Sequence, residues 1–295
     1  MDEAGYDIQD DDVELDGGGW LSYTKQAEGG EELEVQIYSL TRNPLLWQLT
    51  MHPSTATVGF ITWNRAYCLF PRNTFIEKEG FLLQNLDCED WGEEYRATLR
   101  DLSKVGINTK GLPLSEKVDV QVTMHRRIGD KYTWMIDLDT SLLPQGCLDH
   151  VPNAVIEATT FRVRPCEDVG NIGPIPRYEM ANLTSFEHPI LGHLYLVLED
   201  KTKAGDSKTE YGYQITKLKQ QFDNLTRLEI LKLSDDERPN DYRQFVDRGG
   251  VQDKHHSIFT WGQLTVPECW TYFDDDLLKE LNRLWEQYGG AKLKY

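Results

Sequence analysis

Five cysteines, at 68, 88, 147, 166 and 269, are all that this 295-residue chain carries. No two share the C-x-x-C spacing of a zinc ribbon or a redox pair, so buried free thiols are expected and a disulfide framework is not. No apolar run approaches the roughly 18 residues that a membrane span needs, and no membrane insertion is expected. Gly-x-Gly-x-x-Gly, P-loop and Gly-x-Ser-x-Gly signatures are all missing, which removes the common nucleotide-binding and α/β-hydrolase readings. No cofactor is implied, and the reading leans away from an enzyme. No basic stretch followed by an apolar one opens the sequence, so the expected compartment is intracellular, cytoplasm or nucleus, or a virion if the source is viral.

Positive charge is also scarce, with 31 Lys and Arg against 49 Asp and Glu and a net charge of -18. The excess is concentrated at one end: twelve carboxylates between Asp2 and Glu34 face a single base, Lys25. Such a segment offers too little apolar area to offset its ordering entropy, so residues 1 to 32 read as a flexible acidic arm. Asp10, Asp11, Asp12, Glu14 and Asp16 are its densest part and its candidate contacts for a basic partner. Residues 33 to 295 then read as one β-rich domain, with an internal linker near 167 to 178 where Gly-Asn-Ile-Gly-Pro-Ile-Pro falls.

Period-two alternation dominates that domain and predicts half-buried strands. Strands are expected over 33 to 39, 45 to 51, 55 to 63 with 66 to 70 as a hairpin, 118 to 125 against 132 to 138 as the clearest hairpin, and 155 to 163. A further pair is expected from 193 to 199 and 210 to 216. Apolar residues at helical spacing predict helices over 89 to 104 and 275 to 288, and a stripe through Leu218, Phe222, Leu225, Leu228 and Leu231 predicts a third. Asp274 is placed to cap the last helix, and Gly289-Gly290 to stop it. The whole reads as a β-rich α+β fold, mainly an antiparallel β-sandwich whose order of elements is compatible with a jelly roll.

Candidate chemistry is thin. His188, His193, Asp253 and His255-His256 lack the spacing of a helical metal-ligand pair and read as structural or surface groups, so no metal is expected. Asp137 and Asp139 would serve a carbohydrate-active hydrolase only if a cleft paired them with a second carboxylate. Arg126 and Arg127 read as a basic cluster on a solvated hairpin loop, open to an acidic segment, though too sparse for nucleic acid. Among eight tryptophans, Trp261 and Trp270 lie in the least periodic stretch and are the candidate ligand platform.

The function these features favour is a non-enzymatic structural or assembly protein, such as a viral coat or shell component, with subunit contacts through sheet edges and terminal arms. The alternatives are an intracellular binding module whose acidic arm engages a basic protein, and, less favoured, the acidic hydrolase.

Overall fold

The computed structural model describes residues 7–9, 20–27, 30, 32–38, 43–87, 92–111, 120–141, 151–166, 177–181, 183–186, 188–198, 210–234 and 270–289. Its contacts divide into two units, Met1–Trp47 and Gln48–Tyr295. Among the described residues the fold is mixed α and β, with small, mostly antiparallel sheets, six α-helices and no closed barrel. No described helix is long and apolar enough to cross a membrane.

The first unit holds one antiparallel sheet of β1 (Asp7–Gln9), β2 (Trp20–Gln26) and β3 (Glu32–Tyr38). Leu21 lies opposite Ile37 and Tyr23 opposite Val35, and the β2–β3 turn uses Gly30 at φ 82°, a conformation that suits glycine. The boundary expected at residue 32 therefore cuts through a sheet: β1 and β2 belong to the segment read as a flexible arm. Trp20, Leu21, Tyr23 and Thr24 have the strand preference that the acidic composition around them obscured. Asp10, Asp11, Asp12, Glu14 and Asp16 lie outside the described residues.

The run expected as a strand at 45 to 51 is instead helix α1 (Pro44–Thr50). Asn43 Oδ1 accepts from the backbone N–H groups of Leu45 at 2.8 Å and Leu46 at 3.4 Å, and Pro44 occupies the first helical position, where a missing N–H costs nothing.

In the second unit, β4 (Gly59–Ile61) and β5 (Arg65–Cys68) form the expected hairpin, closed by the Thr62 N–H donating to the Arg65 carbonyl. Next, β6 (Glu79–Phe81), α2 (Gly92–Lys104) and β7 (Asn108–Lys110) make a β-α-β unit with parallel strands. Helix α2 ends at Lys104, and Gly106 just beyond it takes φ 81°, a conformation that suits glycine after a helix. Beyond it come α3 (Val120–Thr123), β8 (Arg126–Arg127), β9 (Trp134–Asp137), α4 (Asn153–Glu157), β10 (Thr160–Phe161), β11 (Val163–Pro165), β12 (Tyr178–Met180), β13 (Leu183–Phe186) and β14 (Tyr195–Leu198). The long α5 (Glu210–Leu231) and α6 (Asp274–Tyr288) complete the described elements.

Several local expectations give way to longer-range pairing. The hairpin expected between 118–125 and 132–138 does not form: β8 pairs with β10, and β9 pairs with β5. Residues 155 to 163 contribute α4 and β10 rather than one strand. Strand β14 pairs with β13, because 210 to 216 open a 22-residue helix in which Tyr211, Ile215, Leu218 and Phe222 share one buried face. The described strands are distributed over six sheets of two or three strands, and the expected two-sheet sandwich is not seen among them.

Helices α5 and α6 close a core with β13, β14 and α4, in which Phe186, Tyr195, Tyr211, Phe222, Leu277 and Leu281 are buried together. Asp274 does not cap its own helix, where Phe273 holds the N-cap position without a side-chain bond. Its carboxylate accepts from the backbone N–H of Gly192 at 2.7 Å and of His193 at 3.2 Å, and from the Tyr195 hydroxyl at 2.8 Å. Burial, then this carboxylate, pushes the Tyr195 phenol far up. Asp274→Ala strands three donors at the start of β14 and is expected to lower unfolding free energy by about 2 kcal/mol, read by urea denaturation. A loss below about 0.5 kcal/mol would show that water replaces the carboxylate.

Candidate functional site

The sheet β4–β5–β9 carries a group of exposed apolar side chains. Its register sets Ile61, Ala66 and Ile136 in one cross-strand row and Gly59, Cys68 and Trp134 in the next, so these six share a face. On that face Ile61 is 74% exposed, Ile136 61% and Trp134 47%. Phe75, also exposed, lies parallel to the Trp134 indole at 5.5 Å between centroids.

The opposite face is tied down. Phe60 stacks on Tyr67 at 4.8 Å, and the Tyr67 hydroxyl donates to Glu157 at 3.2 Å. Arg65 bridges Asp137 and Glu157 with contacts of 2.5 Å to each. Burial and the Glu157 carboxylate push the Tyr67 phenol up to about 12.

Among the described residues strand β9 lies at the sheet edge, and all four of its residues are exposed. The Leu138 N–H donates to the Asn64 carbonyl at 2.9 Å, which fixes the alternation of the ladder. Trp134 and Ile136 consequently bond inward to β5, while Met135 and Asp137 direct their N–H and C=O groups to the open side. The edge has no proline and no lysine, and its one charge, Asp137, is engaged by Arg65. Protected edges normally carry such devices.

Beside β9 lies a cavity of about 220 Å³ lined by Phe70, Pro71, Arg72, Asn73, Arg126, Lys131, Tyr132 and Trp134. Its floor is Arg126, whose side chain is 3% exposed and whose Nε donates to Asp130 at 2.5 Å. Arg126 Nη2 donates to Asp130, to the Leu69 carbonyl and to the Thr133 hydroxyl. The guanidinium lies 5.3 Å from the Tyr132 ring centre and 5.5 Å from that of Phe161.

These positions correct the sequence reading. Arg126 is inside the protein rather than on a solvated loop, because a ring of apolar side chains and the turn carboxylate Asp130 enclose it. Arg127 is partly covered as well; its Nε donates to the Glu157 carbonyl at 2.6 Å, and burial lowers its guanidinium pKa. Trp270 belongs to the α5–α6 core and offers no platform, while Trp261 lies outside the described residues. Asp137 is 78% exposed at the side chain and paired with a base. Asp139 is exposed, and a hydrogen bond from the Ser141 N–H holds it below the usual carboxylate range. Neither side chain is buried among the described residues, whereas the hydrolase reading looked for a carboxylate buried in a cleft. His188 is nearly buried, the His193 backbone is held by Asp274, and Asp253, His255 and His256 lie outside the described residues.

Trp134 and Ile136 are the positions that local reading missed, since indoles and isoleucines in strands usually pack inward. The signal was the unbroken Trp-Met-Ile run, which leaves neither strand face polar. Comparison with protein-family models, with curated proteins and with solved structures finds no match to this chain.

Proposed function

We propose that this protein is a non-enzymatic assembly protein whose subunits join by pairing β9 with β9 of a second copy. The observation that carries this reading is the open, wholly exposed edge strand Trp134–Asp137. A twofold axis perpendicular to the sheet keeps each face continuous, and the ladder alternation allows a pair centred on Met135 opposite Met135, the register proposed here. Trp134 of each copy stands opposite Ile136 of the other, an aromatic and β-branched pair of the kind that stabilises antiparallel sheets. The two Asp137 carboxylates fall at opposite ends of the new ladder, each still beside its own Arg65.

The three cross-strand pairs, two Trp–Ile and one Met–Met, contribute roughly 0.2–1 kcal/mol apiece, so a single contact is weak and concentration-dependent. This twofold contact by itself closes at a dimer, and a shell requires a second contact through another sheet edge or a terminal arm. Light scattering after size exclusion should show mass rising with protein concentration, and more steeply at high salt, which screens repulsion between chains of net charge -18. Ile136→Lys puts a charge on an exposed edge position and should leave a folded monomer. Wild-type protein that stays monomeric at every concentration and salt would sink the proposal.

A further inference from the structure

In a chain with 49 acids and 31 bases, the eight residues lining the cavity beside β9 include three bases and no acid. Two of the three cations are already balanced: Arg126 by the buried Asp130, and Arg72 by Glu77 at 2.8 Å. Lys131 is not. Its one contact among the described residues is with the face of Tyr132, 5.0 Å from the ring centre, and no carboxylate reaches it. The cavity thus holds one uncompensated positive charge over a neutral floor.

Its walls are aromatic, from Phe70, Tyr132 and Trp134. Phe75 covers one face of the Trp134 indole, and no other ring contacts that indole among the described residues. Lys131, Tyr132 and Trp134 all line the cavity, so the ammonium group and the two rings border the same space. Drug-sized ligands occupy pockets of about 300–1,000 Å³. A volume of about 220 Å³ is suited to one ring with one charged substituent.

We infer that this cavity binds a compact anionic ligand built on a single planar ring, an aryl carboxylate or aryl phosphate. The ring packs among Phe70, Tyr132 and Trp134, and the anion meets the Lys131 ammonium. Anion and ring are both needed: an exposed ammonium attracts small anions only weakly in water, and a half-open apolar slot gives little affinity alone. This inference does not depend on edge pairing, although Trp134 serves both surfaces.

Isothermal titration of the full chain with phenyl phosphate tests it, with inorganic phosphate and phenol as the two halves of the probe. Phenyl phosphate should bind at least about tenfold more tightly than either half, and less tightly as salt rises. Lys131→Glu and Trp134→Leu should each cost about tenfold or more, and Lys131→Arg should retain binding. Both side chains are exposed, so circular dichroism should show the variants folded. Ile136→Lys, which blocks the edge, should leave affinity unchanged and so separates this site from self-association. No binding of phenyl phosphate, equal binding of inorganic phosphate, or affinity indifferent to Lys131→Glu would each overturn the inference.

Discussion

Arg126→Met should destabilise the second unit by about 3–5 kcal/mol, the cost of leaving one partner of a buried ion pair unpaired. Both side chains are enclosed, at 3% exposure for Arg126 and 8% for Asp130. The carboxylate also accepts from the backbone N–H groups of Arg127 and Tyr132, so it organises the turn after β8 as well as the guanidinium. Removing the arginine leaves that charge in a site walled by Phe70 and Phe161 and frees the Leu69 carbonyl. Such a loss corresponds to roughly 6 to 10 °C in thermal midpoint for a unit of this size. Restoring neutrality in Arg126→Met/Asp130→Leu should recover part of it, and the double-mutant cycle measures the coupling. A single-variant loss under about 1 kcal/mol would show that water reaches the pair.

Acidification from pH 6.5 to 5 should cost roughly 1.6 kcal/mol for each of His125, His52 and His188, which burial holds neutral in the folded chain. Burial lowers His125 to about 3 and His52 and His188 to about 4. Arg162 adds to the shift at His125, and Lys219 at His188. His125 is buried with neither ring nitrogen hydrogen-bonded among the described residues, set between the rings of Tyr211 at 4.7 Å and Trp285 at 5.1 Å. His52 accepts at Nε2 from the Gln48 amide at 2.8 Å, a bond that protonation would abolish.

A depressed folded-state value means that the unfolded chain takes up the proton first. Stability is therefore complete above pH 6.5 and falls as pH drops from there toward 3 to 4. Urea midpoints across pH 7 to 4.5 measure the slope. His125→Phe keeps a planar ring between Tyr211 and Trp285, removes two unsatisfied nitrogens, and should be neutral or stabilising at pH 7. It should also flatten the slope by about 1.4 kcal/mol per pH unit. An unchanged slope in that variant would exclude His125 as a source of acid sensitivity.

Elements whose ends carry their own chemistry were legible in the sequence. Helix α6 announces itself through Leu277, Leu281 and Leu284 on one face and Gly289 after it; a side chain at Gly289 would strike the Trp285 ring. Helix α2, with acids in its first turn, Lys104 in its last and Gly106 beyond, is equally explicit. Short apolar runs were not, because four to seven residues fit helix and strand periods alike. The Leu45 to Met51 run is decided by the side chain of Asn43 rather than by its own pattern. The candidate site was the least legible part: Arg126 looks like a surface base until its carboxylate is found four residues on, inside the same turn.

What the sequence determined by itself are the local features: acidity gathered in one segment, the two amphipathic helices, the hairpin joining β4 to β5, and the lack of any nucleotide or hydrolase motif. Tertiary structure alone decided which strand meets which. Strand β9 finds β5 across about 70 residues, and β8 finds β10 across about 34, because cross-strand complementarity outweighs the entropy of closing long loops, which grows only slowly with their length. That pairing leaves Trp134 and Ile136 on an open edge while closing Arg126 and His125 into the interior. Residue type fixes what each of these groups can do, and burial, set by partners far along the chain, fixes which of them meets solvent.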